Sequence, residues 1–277
     1  MLRSGDPTDP CSTPCSTRGL IDQEKAFQIT STAENSTVNW WDTYATIEDI
    51  RDGRGYTGGI VGFTSATGDM LELVERYVAL QPDHNVLAPY VAGLRSCARL
   101  GETVDDAEYG VDGGRASHVA GQQLGPGFLA AWAHAAHNDP IFPRLQRSFR
   151  RDVYWAPAYA AAVADGVGAL GQALYYDTSV NHGPGVADSN DGSFDDVRSR
   201  TVVTAPSRGG DERRWLMDFI DRRSEVLTRW GDNPVDGRIA MFRELTDSGN
   251  WPLTPPFSWS IYGDVFRMPR DPTPRND

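Results

Sequence analysis

The chain has 277 residues, 39% of them hydrophobic, and its 38 acidic residues against 26 basic ones give a formal net charge of -12. That length allows one large domain or two lobes with a sizeable core. The charge argues against a nucleic-acid partner, which needs a basic surface, and no run of 18 or more apolar residues offers a membrane span.

An acidic surface suits a cationic ligand, because it concentrates positive charge at low salt, although it also serves solubility alone. Met1 to Gly19 (MLRSGDPTDPCSTPCSTRG) is rich in Ser, Thr, Pro and Asp and lacks the charged and apolar regions of a signal peptide. Residues 1–18 are therefore expected to be a mobile leader or an expression remnant, with 19–277 as the folded domain. Cys11 and Cys15 fall in the leader and Cys97 in a helical pattern. Three thiols leave at least one unpaired, and no cysteine-based metal site is expected.

From about Asp22, Ala26, Ile29, Thr30 and Ala33 recur at helical spacing, which places Glu34 at a helix end. RDGRGYTGG over 51–59 reads as a glycine-rich turn, and GIVGFT over 59–64 as a short strand or hairpin. Met70, Leu71, Leu73, Val74, Tyr77 and Val78 mark a second helix, with Ser65, Thr67 and Asp69 as candidate caps, and Val86 to Leu100 a third. Glu102 to Gln123 is acidic, Gly-rich and aperiodic, so a long loop is expected. Helices follow near Gly127–Asn138 and Pro140–Val153.

Pro157 to Tyr176 leaves little polar surface, which predicts a long helix buried on most sides. Asp188 to Asp196 reads as a polar loop, Asp211 to Trp230 as a long amphipathic helix, and Val235 to Thr246 as a shorter one. The proline-rich end from Trp251 is expected to pack as extended chain through Trp251, Phe257, Trp259 and Tyr262. The sum is a mainly α protein with one small β element near residues 56–64.

Glu34 at a helix end and Asp52 in the glycine turn could act as an acid and a base on different elements, as an inverting glycosidase requires. Spacing alone does not single them out among 38 acidic residues. The surrounding text does. STAENS at 31–36, IEDIRDGRGYTGGIVGFTSATGDMLELV at 47–74, ALGQALYYDTSVNHGPG at 169–185, GGDE at 209–212 and IYGD at 261–264 together resemble the chitosanases of glycoside hydrolase family 46. The resemblance runs in order from Gly19 to Phe266.

It implies an α+β lysozyme-like fold, with two mainly α lobes around a substrate cleft bridged by a long buried helix, which Pro157–Tyr176 would supply. It also implies a secreted, extracellular, monomeric endo-hydrolase of chitosan that inverts at β-1,4 bonds and uses no cofactor or metal. In that frame Glu34 matches the general acid, Asp52 the general base and Thr57 the hydroxyl that holds the attacking water. Arg54 matches an arginine beside the base, and Asp69 and Glu212 match groups placed for the substrate's ammonium. Both acidic residues also sit at helix starts, where negative charge is stabilising in its own right. Asp177 and Arg223 match an arginine-linked network behind the acid. The family's second network arginine precedes a Val-Asp pair, where this chain has Pro234, and Arg238 is the nearest substitute. A hydrolase of chitin or peptidoglycan, or a non-catalytic chitosan-binding protein, remains as the alternative.

Other signals are weaker. DSNDGSFDD at 188–196 has Gly192 one place early for a calcium loop and Ser199 where a Glu belongs. His134 and His137 lack the glutamate of a zinc motif, and the glycine turn lacks the Lys of a phosphate loop. Trp40, Trp41 and Tyr44 suit either core packing or stacking on sugars.

Overall fold

The computed structural model describes residues 16–49, 54–83, 85–101, 123–231 and 237–275. In chain order its elements are α1 (Thr17–Asn35), β1 (Ile47–Glu48), β2 (Thr57–Gly58), β3 (Phe63–Thr64), α2 (Asp69–Leu80), α3 (Val91–Gly101), α4 (Gly125–Asn138) and α5 (Ile141–Phe149). A π-helical stretch, Arg150–Trp155, leads into α6 (Ala156–Asp165) and α7 (Ala169–His182). Then come α8 (Phe194–Ser199), α9 (Glu212–Arg229), α10 (Arg238–Asp247), β4 (Phe257–Ile261) and β5 (Asp264–Met268).

The chain divides into two compact units. One takes the described residues up to Ala33, Arg151–Thr228 and the chain from Gly237 on; the other takes Glu34–Arg150 with Arg229–Gly231.

In the second unit the anticipated β element is a three-stranded antiparallel sheet. Glu48 pairs with Thr57, which pairs in turn with Thr64. The sheet is anchored by Phe63, whose ring meets Phe149 of α5 edge-on at 5.3 Å. Phe142 lies between Tyr77 and Trp132, with ring centroids at 4.8 and 4.9 Å. Such pairs each contribute about 0.5–1.5 kcal/mol beyond their buried area. The Tyr77 hydroxyl donates to Asp139 at 2.7 Å and Trp132 Nε1 to Tyr44 O at 3.0 Å, so both polar tips in this cluster are satisfied. The loop expected over 102–123 lies almost wholly outside the described residues.

In the first unit α1 buries Ala26, Phe27, Ile29 and Thr30, and Phe27 meets Tyr176 and Trp155 at 5.0 and 5.4 Å. The helix ends where Ser36 turns left-handed at φ 51, one residue past Asn35. The single long helix expected over Pro157–Tyr176 is instead two. α6 stops at Gly166, whose φ of 76 suits a residue without Cβ, and α7 restarts after Gly168. Both lie in the same unit. α7 fits the expected all-round burial, since Ala169, Leu170, Ala173, Leu174, Tyr175 and Tyr176 are enclosed, but it continues to His182 and so carries Asp177 inside it.

The chain end is also more ordered than expected. β4 and β5 form a hairpin with Ile261 paired to Asp264 across a two-residue turn, Tyr262–Gly263. Both turn residues have positive φ, 50 and 89, the geometry that matches strand twist. Trp259, Ile261 and Met268 face inward while Ser258, Ser260 and Arg267 are exposed. Trp259 Nε1 donates to Thr32 of α1 at 3.0 Å, which fixes the hairpin to the core.

Candidate active site

Glu34 stands on the last turn of α1, half-buried, and its carboxylate lies against the β2–β3 turn. A Cβ placed on Gly62 would be 2.7 Å from Glu34 Oε2 and 3.4 Å from Thr57 Cγ2, so glutamate and threonine flank the same backbone position. A side chain there would displace the Glu34 carboxylate and would be strained by the φ of 67, which suits glycine. Thr57, on β2, has a buried hydroxyl with no hydrogen-bond partner among the described residues. An unpaired buried hydroxyl costs about 1–3 kcal/mol, and the same holds for those of Thr30, Ser31 and Ser179 among the described residues.

Asp52 and Pro234 lie outside the described residues. Arg54, half-buried, begins the described chain beside the sheet, and its carbonyl accepts from Ser65 Oγ at 3.4 Å. Asp69 opens α2, and its Oδ1 accepts from Thr64 N at 3.0 Å, Thr67 Oγ1 at 2.7 Å and Met70 N at 2.8 Å. That oxygen organises the β3–α2 corner, with the carboxylate charge at the positive end of a helix.

In the other unit, Asp177 is wholly buried and meets two arginines. Its Oδ1 accepts from Arg238 Nη1 at 2.6 Å, and Oδ2 lies 2.8 Å from Arg223 Nη1, close but too bent for a well-formed hydrogen bond. Arg223 also donates from Nη2 to Asn181 Oδ1 at 3.0 Å and from Nε to His182 Nε2 at 3.2 Å. Because His182 accepts at Nε2, its proton sits on Nδ1 and points to Gly192 O at 2.8 Å. Burial first, then the charge of Arg223, holds the imidazole pKa well below its ordinary value. Burial likewise lowers the Arg223 pKa, and Asp177 opposes this.

Glu212, at the start of α9, accepts from Gly168 N at 2.6 Å. This ties the start of α7 to α9, a structural duty that sequence reading did not foresee. Trp40 is core, with the Arg150 guanidinium 4.0 Å above its ring, and Tyr44 accepts from Arg147 at 3.0 Å. The polar loop at 188–196 is closed by Asp196, which accepts from Asn190 N, Gly192 N and Arg200. Among the described residues no three His, Cys, Asp or Glu side chains gather as metal ligands.

Sequence reading missed the contributions of Asn181, His182 and Gln146. Gln146 had a visible signal, a polar residue on the stripe of Phe142, Leu145 and Phe149 that α5 buries.

A mainly helical, lysozyme-like fold with a carboxylic acid beside a glycine turn, and a threonine at the same turn whose buried hydroxyl is unpaired among the described residues, defines a candidate hydrolase of the lysozyme type. The family model for glycosyl hydrolase family 46 matches residues 28–257. A chitosanase from Streptomyces sp. (strain N174) is 41% identical over 254 residues, covering 90% of this chain and 83% of that protein. The chitosanase of Bacillus subtilis (strain 168) is 35% identical over 247 residues, 84% of this chain and 80% of that one. Among solved structures, chitosanase OU01 co-crystallised with substrate superposes with a TM-score of 0.74 at 38% identity, covering 89% of this chain and 95% of that chain. A Gynuella sunshinyii chitosanase bound to chitotetraose gives 0.72 at 34% identity, covering 90% and 97%. The chain belongs to glycosyl hydrolase family 46.

Proposed function

We propose that this chain is an endo-acting chitosanase that hydrolyses β-1,4 bonds between glucosamine units with inversion. The observation that carries the reading is the meeting of the Glu34 carboxylate and the Thr57 side chain at Gly62, with the Thr57 hydroxyl buried and unpartnered among the described residues, in a chain whose relatives are chitosanases. Glu34 gives its proton to the glycosidic oxygen as the C–O bond breaks. Asp52 takes a proton from water, whose oxygen attacks the anomeric carbon from the opposite face, so one water is added per bond cut. The Thr57 hydroxyl accepts from or donates to that water, which answers its lack of a partner.

Asp69 brings negative charge toward the substrate's 2-ammonium groups while its Oδ1 keeps the β3–α2 corner in place. Arg54 supplies a guanidinium to the base, Asp52, or orders its loop. Glu212 adds charge from the first turn of α9, with Oε1 already engaged by Gly168. The net charge of -12 supports attraction of a polycation at low salt. A polymer of this kind does not cross a bilayer, which supports a secreted enzyme, and a monomer suffices for the chemistry.

The test is hydrolysis of chitosan beside chitin and peptidoglycan, read as new reducing ends and as falling viscosity, with the first-formed anomer identified by NMR. The α-anomer from chitosan is expected, and Glu34→Gln should lose at least about 100-fold in turnover with its melting temperature kept. Activity confined to chitin or peptidoglycan, a retained β-anomer, or near-normal Glu34→Gln turnover would each overturn the reading.

A further inference from the structure

Gln146 is wholly buried on α5, and both ends of its amide are engaged. Nε2 donates to Tyr44 O at 3.0 Å, three residues before β1, while Oε1 accepts from Ile60 N at 3.2 Å, two residues after β2. A Cβ on Gly59 would fall 2.6 Å from the same Oε1, so the turn is drawn tightly against the amide. Gly62, within that turn, is the residue against which the Glu34 carboxylate rests, and Thr57 is on the strand that leads into it.

We propose that Gln146 is a positioning residue for catalysis: its amide fixes the β2–β3 turn, and through Gly62 it sets where Glu34 and Thr57 stand. The inference rests on the hydrolase reading above. A burying helix needs no glutamine for its packing, because Phe142, Leu145 and Phe149 already fill the apolar stripe. The polar group is there for the loop. Only an amide, or a protonated acid of the same shape, offers a donor and an acceptor in this geometry. Tyr44 O also accepts from Trp132 Nε1 at 3.0 Å, so loss of the glutamine leaves that carbonyl satisfied and the Ile60 N–H stranded. The effect therefore falls on the turn.

The experiment compares Gln146→Leu, Gln146→Glu and, as a control of similar burial in the same unit, Tyr77→Phe. Gln146→Leu should lower kcat on chitosan by about 10- to 100-fold with KM within about two-fold, since misplacement of catalytic groups by about 1 Å costs that much. The alkaline limb of its pH–rate profile should also move, because the turn sets the environment of the acid. Amide exchange over residues 59–64 should quicken. Gln146→Glu, whose carboxyl oxygen can still accept from Ile60 N, should keep more of the wild-type turnover than Gln146→Leu while the fold persists by circular dichroism. Tyr77→Phe should lower stability without changing the pH profile.

Wild-type turnover in Gln146→Leu, or losses that follow melting temperature as in Tyr77→Phe, would overturn the inference. An inactive wild type would strike the chitosanase reading instead. Unchanged exchange over 59–64 would then still reject the role of Gln146, and quickened exchange would still support its hold on the turn.

Discussion

Arg238 Nη1 closes on Asp177 Oδ1 at 2.6 Å, which makes one fully buried carboxylate the shared partner of two arginines from different helices. The Asn181 carbonyl and the neutral His182 ring accept from Arg223 without adding charge. The position directly before Val235 holds Pro234, which has no charge to offer, and the second cation arrives from α10 instead.

Breaking a buried pair by removing one partner typically costs about 3–5 kcal/mol. Because Arg223 remains beside Asp177, Arg238→Met is expected near the lower end, a fall in melting temperature on the order of 6–12 °C. Differential scanning calorimetry reads it directly. A fall of under about 2 °C would mean that Asp177 does not depend on Arg238.

Thr57→Val should separate function from stability. The variant keeps the shape of the side chain and deletes a buried hydroxyl that has no partner among the described residues, so stability should stay level or rise by about 1 kcal/mol. Turnover on chitosan should fall at least about 10-fold if that hydroxyl steadies the attacking water. A fully active and destabilised Thr57→Val would show that the hydroxyl has a structural partner instead.

His182 makes stability depend on pH. Its folded-state pKa is depressed, so the neutral ring is the form that fits. The stabilisation it gives is complete above the unfolded value near 6.5 and is lost as pH falls from there toward the folded pKa. A single such group gives a slope of at most about 1.4 kcal/mol per pH unit, and part of the residue is exposed, which reduces it. Melting temperature should decline between about pH 6.5 and 5, above the range where carboxylates titrate, and His182→Gln should flatten that decline. Parallel curves for the two proteins would refute the assignment.

Cys97 should be chemically silent in the folded protein. It is fully buried on α3, and burial pushes its thiol pKa up to about 11. At pH 8 only about one molecule in a thousand carries the thiolate. In a Cys11→Ser, Cys15→Ser background, a thiol reagent should label Cys97 only as the chain unfolds. Rapid labelling under native conditions would show that α3 opens locally.

The helices α1, α2, α4, α5 and α9 were legible because each carries apolar residues at helical spacing, and their ends fall within a few residues of the sequence reading. The break between α6 and α7 was not. Pro157–Tyr176 has a continuous apolar pattern, and what divides it is the left-handed Gly166 together with the Glu212 carboxylate on Gly168 N, a contact from 44 residues away. The C-terminal hairpin was hidden for a similar reason. Its turn places Tyr262 at positive φ, where Asn or Gly would have signalled it, and its inward face is recognised only through Trp259 meeting Thr32, 227 residues earlier.

Sequence by itself determined the family, through motifs that occur in order around Glu34, Asp52 and Asp177, and it determined most of the helices, because both are written in local text. The tertiary structure decided which atoms those residues meet. It set Glu34 and Thr57 against Gly62, supplied Arg238 to Asp177, and engaged Asp69 and Glu212 at helix starts. Hydrogen bonds and close contacts of this kind depend on distances of a few tenths of an ångström between residues remote in the chain, and periodicity carries no information at that scale.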